Sequence, residues 1–296
     1  MKTNKIIITL ALLTLIVILL PNAESQYNYE YKNVTSRVNV TNAFPTILEV
    51  IVDQYITLNA GGHKIVMCNA TIQDWNGWDD IDTVNATLYH NTTSTHEDED
   101  SGNAHYTNAS CNFTGNDGEY ISYYNCAFNV IHYANPGEDW ICNVTAKDLY
   151  NFTDDLYNTT TIHELYALNV TDIIDYGNLS VGDTSVDVNA TITNFGNVDI
   201  NVSVLGYGLT EGDGYGLMCE RGDNIGVEHQ RFSSTTSAWE DKTPLAATNQ
   251  DMGLTILQAN DTSAPTTWLT FWQLYVPPNP QGECTGTLRF TATTSS

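Results

Sequence analysis

The run Asp74-Trp75-Asn76-Gly77-Trp78-Asp79-Asp80-Ile81-Asp82 crowds acidic and amide side chains around one glycine. A hard cation such as calcium takes about six to eight oxygen ligands, and Asp74, Asn76, Asp79, Asp80 and Asp82 are the candidates to supply them. The spacing is not that of an EF-hand, because the later Glu is absent. The same residues also read as an acidic turn around Asn76-Gly77, which needs no metal. The neighbouring His96-Glu97-Asp98-Glu99-Asp100 reads as a solvated acidic loop.

A second chemistry lies in the sequon Asn-x-Ser/Thr, which begins at Asn33, Asn39, Asn69, Asn85, Asn91, Asn108, Asn112, Asn143, Asn151, Asn158, Asn169, Asn178, Asn189, Asn201 and Asn260. No proline interrupts any of them, so each can accept an N-linked glycan. Random placement would give on the order of six. The competing reading is that Asn and Thr two apart decorate the wet face of strands. Asn is disfavoured in strands, however, and Val-Asn-Ala-Thr places it mid-strand at Asn85 and Asn189.

Other chemistries find little support. The chain has no Gly-x-Ser-x-Gly, no His-Glu-x-x-His and no phosphate-binding glycine loop. Its seven histidines are scattered, and paired carboxylates could be drawn from 35 acids almost at will. The expectation is therefore a protein that is not an enzyme, with calcium the one cofactor to consider. Arg221-Gly222-Asp223 and Glu211-Gly212-Asp213-Gly214-Tyr215-Gly216 read as an ordinary turn and a flexible loop. A net charge of −25 with only ten basic residues argues against nucleic acid and anionic lipid as partners.

The N-terminus sets the compartment. Lys2 and Lys5 precede an apolar run from Ile6 to Leu20, then Ala23-Glu24-Ser25, the pattern of a secretory signal cleaved after Ser25. The run is short for a membrane-spanning helix, and no second apolar stretch follows, so no transmembrane segment is expected after cleavage. Six cysteines behind such a signal point to three disulfides in an extracellular protein.

The elements that position these groups read as strands. Val66, Cys68, Ala70 and Ile72 share one parity against Met67, Asn69 and Thr71. The split recurs around Asn85, Asn143, Asn189 and Asn201, as expected of strands with one buried and one wet face. Helical periodicity is confined to a weak Asp148–Tyr157 segment. The expected fold is all-β, with two immunoglobulin-like β-sandwiches in tandem: signal 1–25, extended segment 26–42, first sandwich 43–168, second sandwich 169–296. In the extended segment Tyr27, Tyr29 and Tyr31 take one parity and Val34, Val38 and Val40 the other. It reads as a donor strand, a loose leader or an edge strand folded back on its own domain. The second sandwich is expected to hold a hairpin around Asn194-Phe195-Gly196-Asn197 and a C-terminal pair, Thr267–Val276 with Glu283–Thr293, turning at Pro277–Gly282.

Cys68 and Cys142 share inward parity on distant strands, as in the inter-sheet bridge of an immunoglobulin-like sandwich, leaving Cys111 with Cys126. Pairing of Cys126 with Cys142 across Asn135-Pro136-Gly137 is the alternative. Cys219 and Cys284 are left to each other. The stretches Val66–Thr71 with Asp74–Gly77, Trp140–Asp148, Thr193–Asp199 and Gly286–Ala292 resemble archaeal cell-surface glycoproteins built from immunoglobulin-like and adhesion-type sandwiches. The resemblance runs from about Ala43 to Thr293 and implies a secreted, surface-located structural role rather than a reaction. The expected partner is the chain itself, as a homopolymer in a filament or coat. The alternative is a monomeric module that binds glycans or other surface proteins.

Overall fold

Alternating apolar and polar residues give strands that each need a cover for one face, and the chain answers with facing sheets. The computed structural model describes residues 30–260 and 266–294; among these it is all-β apart from three single 3₁₀ turns. The expected signal, 1–25, and Tyr27 and Tyr29 lie outside the described residues. No helix among the described residues is long and apolar enough to cross a membrane. The chain divides into two units, Met1–Thr41 and Asn42–Ser296. In the first, residues 30–41 carry no strand, and Tyr31, Val34, Val38 and Val40 are exposed.

The second unit begins with β1 (Thr46–Val52), β2 (Tyr55–Ile56), β3 (His63–Gln73), β4 (Ile81–His90), β5 (His105–Asn108), β6 (Asn112–Asp117), β7 (Ile121–Ile131), β8 (Gly137–Asp148) and β9 (Thr153–Ile162). These form two sheets, β1-β3-β7-β6 and β2-β9-β8-β4-β5. Val66, Cys68, Ala70 and Ile72 of β3 meet Val84, Ala86 and Leu88 of β4 and Trp140, Cys142 and Val144 of β8 in one core. Cys68 is bonded to Cys142 across the two sheets, and Cys111 to Cys126. Trp140 is fully buried and donates its indole N–H to the Asn135 carbonyl at 2.8 Å. The weak helical signal at Asp148–Tyr157 gives no helix. Asp148 Oδ1 accepts the N–H groups of Tyr150 and Phe152, closing a tight turn that sends the chain back as β9.

The remaining strands are β10 (Leu168–Val170), β11 (Val188–Asn194), β12 (Ile200–Tyr207), β13 (Tyr215–Arg221), β14 (Ile225–Gly226), β15 (Gln230–Ser233), β16 (Thr243–Pro244), β17 (Gln250–Ile256), β18 (Thr267–Leu274), β19 (Gln281–Thr285) and β20 (Thr287–Thr294). They make sheets β10-β11-β18-β15-β16, β17-β12-β20 and β14-β13-β19, so no sheet draws strands from both sides of Leu168. Ile192, Val202, Phe232, Leu254 and Trp272 share the main core here, and Cys219 is bonded to Cys284.

Two expected strand pairs do not form. β11 and β12 lie in different sheets, because Asn194–Asn197 carries the chain across the core instead of turning it back. β18 is flanked by β11 and β15, so both its edges are taken. The Pro277–Gly282 stretch leads to β19 on β13 and then to β20 on β12.

The joint between the two groups of sheets is held by polar groups. Asn197, with no exposed surface, donates to the carbonyls of Ala134 and His163, both at 3.0 Å, and accepts the Leu165 N–H at 2.6 Å. Gly61 N–H reaches the Phe195 carbonyl at 3.0 Å. A buried group stripped of its partner costs about 1–3 kcal/mol. Asn197→Leu should lower stability by at least that much, read by denaturant unfolding. A neutral substitution would show that the joint is not what binds the two groups of sheets. Cys68→Ser should free one thiol, Cys142, and cost roughly 2–5 kcal/mol, checked by alkylation and unfolding of the same sample.

Candidate functional site

Asp74 follows β3, Asp80 ends the short turn before β4, and Asp148 ends β8. Ile81 is paired with Asp148 across β4 and β8, which brings the acid at 80 beside the one at 148. β3 belongs to the facing sheet and delivers Asp74 to the same corner. One carboxylate oxygen from each of the three lies within 4.8 Å of the others. Asp74 and Asp148 have no exposed surface. Asp148 is well supplied, since Oδ1 accepts two backbone N–H groups and Oδ2 accepts Asn42 Nδ2 at 2.6 Å. Asp74 Oδ1 accepts the Asn76 N–H at 2.8 Å, but its buried Oδ2 has no hydrogen-bond donor, nor has the buried Oδ2 of Asp80.

The loop is held open for this by its backbone. Asp74 and Trp78 donate their N–H groups to the carbonyls of Tyr120 and Glu119. Gly77 sits at φ 131°, where a Cβ would lie 2.6 Å from an Asp79 carboxylate oxygen, so glycine is required. Burial pushes the Asp74 carboxyl above its usual range; the Asn76 N–H partly offsets this, and the charges of Asp80 and Asp148 add to it. Asp80 is raised by burial first and then by Asp148 and Asp79.

Of the five expected ligands the structure gathers two, Asp74 and Asp80. Asn76 turns away, its Oδ1 accepting the Ala43 N–H at 2.6 Å. Asp79 points to the exposed side of the turn beside Gly77. Asp82 pairs with Lys147 at 3.1 Å. The structure does not bring these three to the cluster, each for its own reason: Asn76 is taken by Ala43, Asp79 lies on the outer side of the 3₁₀ turn, and Asp82 is on β4 paired with Lys147. The third member, Asp148, is distant in sequence, where it stands at the end of the Trp140–Asp148 stretch and the start of the weakly helical Asp148–Tyr157 segment, with nothing local to join it to the acidic loop.

The sequon asparagines mostly lie where a glycan has room. Asn69, Asn91, Asn112 and Asn189 are exposed and Asn85 half-exposed. Asn143 departs from the expected wet face, being 7% exposed. Its cross-strand neighbour Thr87 is equally covered and lies 3.2 Å from His96 Nδ1, so the loop after β4 folds over this part of the outer face.

A different feature runs beside β20, which among the described residues bonds as a strand only with β12, its other edge lying near β10 without pairing to it. Along it lies a groove of about 1240 Å³, lined by Val170, Ile174, Leu217, Leu288 and Phe290 and by the acids Asp172, Asp175 and Glu283. Trp75 and Tyr120 make a third feature, with ring centroids 5.2 Å apart and both side chains exposed.

No protein-family profile matches the chain, and no curated protein does. Among solved structures it is similar to a secreted serine protease, VesC from Vibrio cholerae, at 9% identity and a TM-score of 0.20, covering 83% of this chain and 51% of that one. The chain thus spans about half the length of that protease chain. It is also similar to a chaperone–tip adhesin complex described in CFA/I fimbriae biogenesis, at 10% identity and a TM-score of 0.28, covering 86% and 92% of the two chains. Likenesses this small carry no argument about what the chain does.

The loop from Glu211 to Gly216 is anchored rather than flexible. Although burial pushes the Asp213 carboxyl upward, the N–H groups of Thr210, Leu209, Tyr215 and Gly208 pull it down to about 2. That is below the unfolded value of 3.8, so its contribution is complete above the unfolded value and is lost as pH falls toward about 2. Asp213→Asn should lower the melting temperature at neutral pH and flatten its fall between about pH 4 and pH 2. An unchanged acid limb in thermal melts would remove Asp213 from that account.

Proposed function

We propose that this chain is a secreted structural glycoprotein, a subunit of a surface filament or coat of the kind its sequence resembles in archaea, built from tandem immunoglobulin-like sandwiches. Copies join when the leading segment of one lies along the free edge of β20 in the next. The observation that carries this reading is that free edge with its groove. An unpaired strand edge is a template for an added strand, whose main-chain bonds give continuity while alternate side chains enter the groove.

The leading segment suits the role. Val34, Val38 and Val40 share one parity and are 79–85% exposed, an arrangement that waits for a cover. Lys32 and Arg37 bring positive charge to a groove edged by Asp172, Asp175 and Glu283. Export is supported by the signal-like N-terminus and by three disulfides, which persist in oxidising compartments. Glycans on the sequons would coat the outside, with Asn69, Asn85 and Asn189 well placed to carry them.

A second reading, a monomeric glycan-binding module, is favoured by the exposed Trp75–Tyr120 pair, since aromatic faces stack on sugars. Secreted material separates the two. Polymers by electron microscopy favour the first, and a sharp monomer peak that shifts on sugar binding favours the second. Deleting residues 26–41 behind an intact signal should abolish polymers while leaving the melting temperature of Asn42–Ser296 unchanged. Val38→Asp should weaken assembly in the same direction. Polymers that persist in the deletion would rule out strand donation.

A further inference from the structure

We propose that Asp74, Asp80 and Asp148, with the side-chain carbonyl of Asn42, bind one calcium ion that clamps the first residues of the folded unit onto the Asp74–Asp82 loop. The inference stands apart from the assembly reading and does not need it.

The span comes first. Calcium–oxygen distances are about 2.3–2.6 Å, so ligands on opposite sides of one ion lie about 4.8 Å apart. The three carboxylates keep one oxygen each within 4.8 Å of the others, a spread that one calcium ion fills. The donors are all oxygen, with no His or Cys in the cluster, which selects a hard cation over zinc. Magnesium would ask for shorter distances and a stricter octahedron.

Unsatisfied atoms supply the second observation. Asp74 is wholly buried, and its Oδ2 has no hydrogen-bond donor. The buried Oδ2 of Asp80 and the buried Oδ1 of Asn42 are in the same state. Asn42 is already held there, since its Nδ2 donates to Asp148 Oδ2 at 2.6 Å. Among the described residues no Lys or Arg forms an ion pair with any of the three acids. Three carboxylates at this spacing with two of them fully buried need a counter-charge, and the atoms without donors are the ones a cation would take. Solvent can fill the other positions through the half-exposed side of Asp80.

The clamp follows from the neighbours. Asn42 would join the ion directly, and the Ala43 N–H is bound to Asn76 Oδ1 of the same loop at 2.6 Å. Occupancy would therefore hold residues 42 and 43 against β3 and β8 together.

The experiment is calorimetric titration of the full metal-stripped chain with calcium chloride, beside thermal melts with calcium or chelator. One ion per chain and a higher melting temperature are expected. Asp148 Oδ1 holds the Tyr150–Phe152 turn, so its substitution confounds folding with binding, and Asp80→Asn, whose Oδ2 has no donor to lose, is the decisive variant. It should raise the melting temperature of the metal-free protein by relieving repulsion, and weaken calcium more than about tenfold. Asp82→Asn, outside the cluster and paired with Lys147, should bind as the parent does. No heat and no thermal shift in the parent, or undiminished binding by Asp80→Asn, overturns the site. Hydrogen exchange at the Ala43 amide should slow with calcium; binding without that slowing overturns the clamp.

Discussion

The two groups of sheets meet where backbone groups have no strand ladder to satisfy them, and Asn197 takes up three of those backbone groups. The residues between β9 and β10 run beside the turn between β11 and β12, where the His163 carbonyl and the Leu165 N–H and carbonyl bond to Asn197. One amide side chain takes both the Ala134 and His163 carbonyls and the Leu165 N–H. Asn194, also fully buried, does the same for the Val198, Ile256 and Leu257 carbonyls while its Oδ1 accepts the Gly196 N–H. Gly196 has no room for a side chain, since a Cβ would fall 1.9 Å from the Leu165 carbonyl. The Asn-Phe-Gly-Asn sequence is thus a joint whose every residue is used, with Phe195 set edge-on to His132 at 5.8 Å. That joint links the two groups of sheets within Asn42–Ser296.

Charge is handled in two opposite ways within that unit. Lys242 is fully buried, but its ammonium lies 2.9 Å from Asp187 Oδ1 and donates to Ser233 Oγ at 2.9 Å, so its charge is paired. A buried ion made this way is tolerated because the partner repays part of the desolvation. At Asp74, Asp80 and Asp148 the chain gathers like charges instead and offers backbone N–H groups chiefly to Asp148. The folded state must then favour protons or a cation on the other two, which is what the raised carboxyls of Asp74 and Asp80 express.

Strand identity was legible because burial imposes period two: Val66, Cys68, Ala70 and Ile72 are all nearly or fully buried, as their parity requires. Pairing was much less legible. Asn194–Asn197 looks like a hairpin turn because Asn and Gly favour turns locally, and nothing local reveals that β11 and β12 belong to different sheets. The same blindness hid Asp148 from the acidic loop, since it reaches the cluster only through the register of β8 on β4. Asn143 shows the limit of parity itself: the outer face is wet only where no loop returns to cover it.

The edges of the sheets bear on assembly through what each carries. A free edge invites further strands unless it is short, interrupted or obstructed. β2, β14 and β16 are two residues long, and β16 ends in proline. β17 is broken by a register shift at Gly253, whose φ is 66°. β1 is tied to the other sheet, with Ile47 N–H on Asp154 and the Val50 carbonyl on Asn158. β5, β6 and β10 begin or end in sequon residues Asn108 and Asn112 or contain Asn169, where a glycan would stand in the way. β19 has a register shift against β13 at Gly282, whose φ is 80°, and β20, which lines the same groove, has none of these obstacles. If sequons and bulges are read as ways of refusing a neighbour, the surface left open is the one beside β20, and a segment presenting three valines on one parity is what such an edge would accept.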